Sequence, residues 1–239
     1  MSLFKKIILI NLFYINYNLL QAQSITEDAI AIEHNKFQLE SIGVIEYSHA
    51  NGYHLNHWIF PGILLRYGLN KHIEMRWATA YESNRKHIHR FKRGIFNQFE
   101  WGVKIHLIDK QKFNLSIVNH IVFPSHFKNL KADLSEVSIL IGSMQMTPTF
   151  SVGTSLQYTF TSRPENDFNY SLAFYYDMTK KDNVYVETFG DLFNNRLINN
   201  LNIGINHKIN DSLEWQAGFG IGIAQSNQYV SSGLVWQIN

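Results

Sequence analysis

From Gly62 to Tyr81 the chain reads GILLRYGLNKHIEMRWATAY, and its second half alternates apolar and polar almost without a break. Ile73, Met75, Trp77, Thr79 and Tyr81 share one parity; His72, Glu74, Arg76, Ala78 and Ala80 share the other. A period of two is what a β-strand imposes, because successive side chains leave opposite faces of a sheet. Between the arms, Gly68-Leu69-Asn70-Lys71 predicts a tight turn in which Gly and Asn supply positive φ. The polar face carries full charges in mid-strand, and the apolar face ends in Trp and Tyr. That pattern suits a strand with lipid on one side and a wet lumen on the other.

The same alternation predicts twelve strands, at about 36–48, 54–67, 71–82, 95–108, 113–123, 136–146, 149–161, 168–178, 184–191, 197–208, 213–224 and 228–238. It is strictest in Phe168, Tyr170, Leu172, Phe174 and Tyr176, and in Leu213, Trp215, Ala217, Phe219, Ile221 and Ile223. Pro61 inside the second strand predicts a bulge or a weakly paired position. Connections after the even-numbered strands are tight, and those after the third and fifth are the longest. An even strand count with short turns at the end shared by both termini is the plan of an outer-membrane barrel. Closure is required physically, because lipid offers no partner to the amides of an open edge. The expected fold class is therefore all-β: a 12-stranded antiparallel transmembrane β-barrel of the outer-membrane type, one domain over residues 23–239. Residues 23–35, polar and irregular, are expected to be a short periplasmic lead-in.

Lys5 and Lys6, the apolar run Ile7–Leu20 broken by three Asn, and Ala22 together predict a signal peptide over residues 1–22. Removing it takes away two lysines and no acid, which leaves 19 basic and 19 acidic side chains and gives nucleic-acid binding no electrostatic support. There is no Cys, so disulfides and thiolate chemistry are excluded. Aromatic residues make up 14% of the chain, as two interfacial girdles would require.

The period-two reading turns Glu40, Glu46, Arg66, Glu74, Arg76, Glu100, Lys104, Glu187 and Glu214 inward as the candidate lumen lining. Both signs fall on neighbouring strands, so they either pair across the lumen or set the charge preference of a solute path. The stretch 82–94 concentrates Arg85, Lys86, Arg90, Lys92 and Arg93 into an expected surface loop, either simply solvated or facing the phosphates of lipopolysaccharide or an anionic solute. No catalytic site is expected. There is no G-x-S-x-G elbow and no Walker or Rossmann fingerprint. His87-Ile88-His89 lacks a third ligand, so neither a metal nor a cofactor is expected.

LLRYGLNKHIEMRWATAY resembles the L-R-Y-G-L-x-x-x-[IL]-E-[LM]-R hairpin of the outer-membrane transporter family grouped under the MetA-pathway of phenol degradation. Trp101-Gly102-Val103-Lys104, Val184-Tyr185-Val186-Glu187, Gly218–Ile223 and Ser232-Gly233-Leu234 are similar to further strands of that family, in the same order. The chain departs from most such barrels by ending on Asn239 rather than an aromatic residue. The resemblance implies a β-barrel with a solute-transport role. The expected function is passive passage of small solutes, apolar or aromatic ones included, across the outer membrane, with its lipid and lipopolysaccharide as surroundings. A structural or surface-binding barrel and a soluble secreted β-domain are the alternatives.

Overall fold

The computed structural model of the chain describes residues 26–50, 53–86, 95–124, 134–161, 167–193, 196–223 and 227–238. The alternation is realised as twelve strands: β1 (Phe37–Ala50), β2 (Tyr53–Asn70), β3 (Ile73–Lys86), β4 (Ile95–Lys110), β5 (Phe113–Pro124), β6 (Ser135–Thr147), β7 (Phe150–Thr161), β8 (Asp167–Asp177), β9 (Asp182–Phe193), β10 (Arg196–Lys208), β11 (Leu213–Gly222) and β12 (Asn227–Ile238). Each pairs antiparallel with its sequence neighbours. β1 pairs with β12 from Phe37↔Ile238 to Ser48↔Asn227, and this closes the barrel. Closure satisfies every ladder without leaving an edge.

Two expectations need correction. β3 runs on to Lys86, so the segment expected to begin a loop at Glu82 extends the strand, with Arg85 opposite Asn56 and Lys86 opposite Leu55. Long strands at a barrel rim continue past the membrane while their neighbour still offers hydrogen bonds. Arg90, Lys92, Arg93 and the His87–His89 pair lie outside the described residues, as does the segment 1–22 expected to be a signal peptide. Second, β2 continues through Gly68 to Asn70, and the turn is Lys71-His72. Asn70 closes it: its Oδ1 accepts from the backbone N–H of His72 (2.8 Å) and of Ile73 (2.9 Å). Pro61 sits at a register shift between Ile59 and Gly62.

The outer surface is apolar. Phe37, Tyr176, Trp215 and Trp236 ring the end that carries the tight turns, the start of β1 and the end of β12; Tyr47, Trp58, Phe60, Phe99 and Phe160 ring the other. Leu140, Leu156, Val186, Ile203, Phe219 and Val230 lie exposed between the rings. A tilted strand of about 9–11 residues covers the ~25 Å apolar band of an outer membrane. The shortest strand here, β11, has 10 residues. A continuous apolar belt of this size is not the surface of a soluble β-domain; the chain is an outer-membrane β-barrel.

Inside, the wall is mixed. Ser155, Thr159, Asn169, Ser171, Asn200 and Asn202 make a polar sector on β7–β10. Two apolar patches interrupt it. Val118, Val122, Val137, Ile139 and Ile141 line β5–β6. Ile42, Val44, Ile59, Ala80 and Tyr229 line β1–β3 and β12, with Phe189 of β9 packed on them. Tyr229 lies flat against the wall because β11 has Gly220 beneath it; a Cβ there would fall 2.1 Å from the ring.

Candidate functional site

The segment 26–35, expected as a periplasmic lead-in, runs inside the barrel. Its backbone polar groups would be orphaned in an apolar tube, and the charged wall supplies their partners. The Thr26 N–H donates to Glu187 Oε1 (2.5 Å), its hydroxyl donates to Ser171 Oγ (2.7 Å), and Tyr175 donates to its carbonyl (2.9 Å). Glu187 lies halfway along β9, so this end of the strap reaches mid-barrel. Ala29 is fully buried against the β5–β6 patch, with its carbonyl accepting from Ser116 Oγ. Ile32 N–H donates to Glu74 Oε2 (3.0 Å). The strap leaves the lumen along Gly68: Asn35 N–H donates to Gly68 O (2.8 Å) and Gly68 N–H to Lys36 O (3.1 Å). A Cβ on Gly68 would stand 2.1 Å from Glu33 O. Glycine is there so that the strap backbone can approach, and the residue at positive φ is Asn35 (61°).

A charge cluster forms where the strap crosses β2–β4. Arg66 Nε donates to Glu74 Oε1 (2.6 Å), Arg66 Nη2 to Glu74 Oε2 (2.9 Å), and Arg66 Nη1 to Glu40 Oε1 (3.1 Å). Glu27 of the strap accepts from Arg76 Nη1 (2.8 Å) and Lys104 Nζ (3.1 Å) and lies 3.5 Å from Arg66 Nη2. Lys104 also donates to the carbonyls of Asp28 (2.5 Å) and Ile30 (3.1 Å). Burial alone would push the Glu27 carboxyl up, but Arg76, Lys104 and Arg66 outweigh it and hold it well below the usual carboxylate range.

All nine residues expected to line the lumen stand on inward positions of the strands, but they do not act as one set. Glu40, Arg66, Glu74, Arg76 and Lys104 form the cluster with Glu27. Glu187 holds the strap's far end and accepts from Asn202 Nδ2 (3.3 Å). Glu46 and Glu100 sit towards the opposite mouth, each beside a histidine. His57 lies between Glu46 (3.6 Å) and Glu82 (3.4 Å), and His120 Nδ1 is 2.9 Å from Glu100. Glu214 accepts from Gln216 (2.5 Å) near the tight-turn end. Sequence reasoning passed over Glu27, His57, Glu82, His120 and Ser171. The alternation already placed Glu82 in phase with Glu74, whereas nothing local marks Glu27.

Below the strap a cavity of about 850 Å³ opens towards the tight-turn end, lined by Gln38, Glu40, Asn114, Gln145, Lys181 and Gln216 among others. It reaches Glu27, Arg66 and Arg76. Among the described residues no group of three metal-ligating side chains gathers.

No family model and no curated protein matches the chain. Solved structures do. An outer-membrane channel from Pseudomonas putida F1 superposes with a TM-score of 0.68, covering 88% of this chain and 98% of that one at 9% identity. The fold is that of outer-membrane porins and channels. The KdgM porin in complex with disordered oligogalacturonate gives a TM-score of 0.60 over 84% of this chain and 99% of its own, at 9% identity. The NanC porin gives 0.56 over 83% and 98%, also at 9% identity. At such identity the likeness is one of backbone, and the strap and its cluster have to be read from this chain's own residues.

Proposed function

We propose that this barrel is a passive outer-membrane channel for small, largely apolar or aromatic solutes, held closed by its own N-terminal strap. The observation that carries the reading is the lumen wall itself. A water-filled porin keeps a polar interior, whereas here Val118, Val122, Val137, Ile139 and Ile141 face inward together on β5–β6. An apolar solute moving along such a wall gives up little on leaving lipid or lipopolysaccharide, and water gains little by filling it. KdgM was solved with an oligogalacturonate, a polyanion. A basic track for such a chain is not offered by the Arg66, Arg76 and Lys104 trio, whose charges are matched by Glu27, Glu74 and Glu40. The hairpin resemblance supports kinship with the MetA-pathway transporters, and the basic segment 85–93 is the part of the sequence suited to lipopolysaccharide phosphates. The test is uptake of a radiolabelled monoaromatic solute at low concentration by cells producing the chain. Faster entry than in cells without it supports the channel; equal entry defeats it.

A further inference from the structure

Arg66, Arg76 and Lys104 are 5%, 1% and 0% exposed, and they converge on a carboxylate that does not belong to the barrel. The wall itself supplies them with Glu74 and Glu40. With the strap withdrawn, three cations face two acids, and an uncompensated buried cation is costly. The site therefore requires an anion, and Glu27 is the one it holds. Glu27 fills it incompletely. Its Oε2 takes Arg76 Nη1 at 2.8 Å, while Arg76 Nε is buried without a hydrogen-bond partner, 3.7 Å from Glu74. A guanidinium presents a planar fork that a freely placed carboxylate engages with two parallel bonds. Glu27, tethered through the strap, uses one arm of that fork.

The site is reachable. The 850 Å³ cavity touches Glu27, Arg66 and Arg76, and Ile42, Leu64 and Val235 also line it. It thus offers a charged end and an apolar wall to one molecule. We propose that the Arg66–Arg76–Lys104 trio is a binding site for small organic monocarboxylates with an apolar body, and that such a ligand exchanges with Glu27 and releases the strap. The site and the channel reading are separable: binding is measured in detergent, where no permeation is needed. The strap is its own competitor, so occupancy by Glu27 lowers the apparent affinity of the wild-type site by the fraction of time the site is vacant.

The probe is 4-fluorobenzoate, followed by ¹⁹F NMR on refolded full-length protein in detergent micelles, with the neutral 4-fluorobenzamide as control. The proposal expects the benzoate to bind and the benzamide not. In Glu27→Gln the benzoate should bind on the order of tenfold tighter or more, since a vacant state of roughly 0.1–1% becomes a large share of the population. Adding Arg76→Gln to that variant should remove the preference for benzoate. Each variant is first shown to be a closed barrel by heat-modifiable migration. In the strap-releasing arm, benzoate but not benzamide should speed alkylation of a thiol introduced as Ala29→Cys. Equal binding of the two probes overturns the proposal, and so does benzoate affinity unchanged or weakened in Glu27→Gln.

Discussion

Lys104→Met removes the ammonium that grips the strap while keeping an unbranched stem of similar length. Lys104 is fully buried, and its Nζ donates to Glu27 Oε1 at 3.1 Å, to Asp28 O at 2.5 Å and to Ile30 O at 3.1 Å. Methionine leaves both carbonyls without that donor and leaves Glu27 to the two arginines. Hydrogen bonds to a charged group contribute about 1.5–3 kcal/mol each, and deleting one partner of a buried ion pair costs about 3–5 kcal/mol. Methionine also escapes the desolvation that burying an ammonium costs, so the low end, about 3 kcal/mol, is the better figure. At 1.36 kcal/mol per decade that is roughly a hundredfold rise in the undocked fraction of the strap. The chain has no cysteine, so Ala29→Cys introduces a single thiol at a position with no exposure. Where docking and undocking outpace the reagent, the rate of labelling by a water-soluble maleimide reads the undocked population. Labelling should be roughly a hundredfold faster in the Lys104→Met background, with heat-modifiable migration unchanged. A labelling rate unaffected by the substitution would refute the role given to Lys104.

Four further outcomes follow from the same geometry. Gly68→Val sets a Cβ 2.1 Å from Glu33 O and 2.5 Å from Ile32 O, both backbone atoms, so the strap's base should come loose and Ala29→Cys label faster while the barrel stays closed. Gly220→Ala puts a methyl 2.1 Å from the Tyr229 ring, and the overpacking should lower stability by about 1–3 kcal/mol in denaturant titrations. Ile203→Arg places a cation on the lipid face of β10, where Ile203 is half exposed, and should cost about 2–4 kcal/mol in vesicle-based unfolding. The pH dependence of docking has a definite sign. The Glu27 carboxyl is held below its ordinary value, so its ion pairs are fully present above the free carboxylate range and are lost only as pH falls through the depressed value. Labelling at Ala29→Cys, taken relative to the unfolded chain at the same pH so that loss of thiolate cancels, should therefore stay slow from about pH 8 to about pH 4, below the midpoint of a free glutamate, and rise only in stronger acid.

The strands were legible because lipid and lumen impose opposite demands on alternate residues. In β3 and β4, Trp77, Trp101 and Ile105 against Glu74, Arg76 and Lys104 leave one choice of face. Legibility fell where the two faces are alike. On β6, Val137, Ile139 and Ile141 face inward while Leu140 faces lipid, and an apolar run on both faces does not say which is which. Gly68-Leu69-Asn70 has the composition of a turn, but the glycine answers to a segment thirty-odd residues earlier. The strap was missed for a related reason. The segment 26–35 has no periodicity, and its partners Glu74, Lys104 and Glu187 lie far along the chain. No sequence signal pointed to it: on the first four strands Arg66, Arg76 and Lys104 are matched by Glu40, Glu74 and Glu100, and only in the structure does Glu100 turn instead to His120.

Conductance across planar lipid bilayers, recorded for the refolded full-length barrel and for a form lacking residues 26–35, bears most directly on a strap-closed channel. The full chain should pass small, intermittent currents, and the shortened one a larger and steadier current of a single size. Equal conductance in the two would contradict closure by the strap, and bilayers that stay insulating with both would contradict the channel itself.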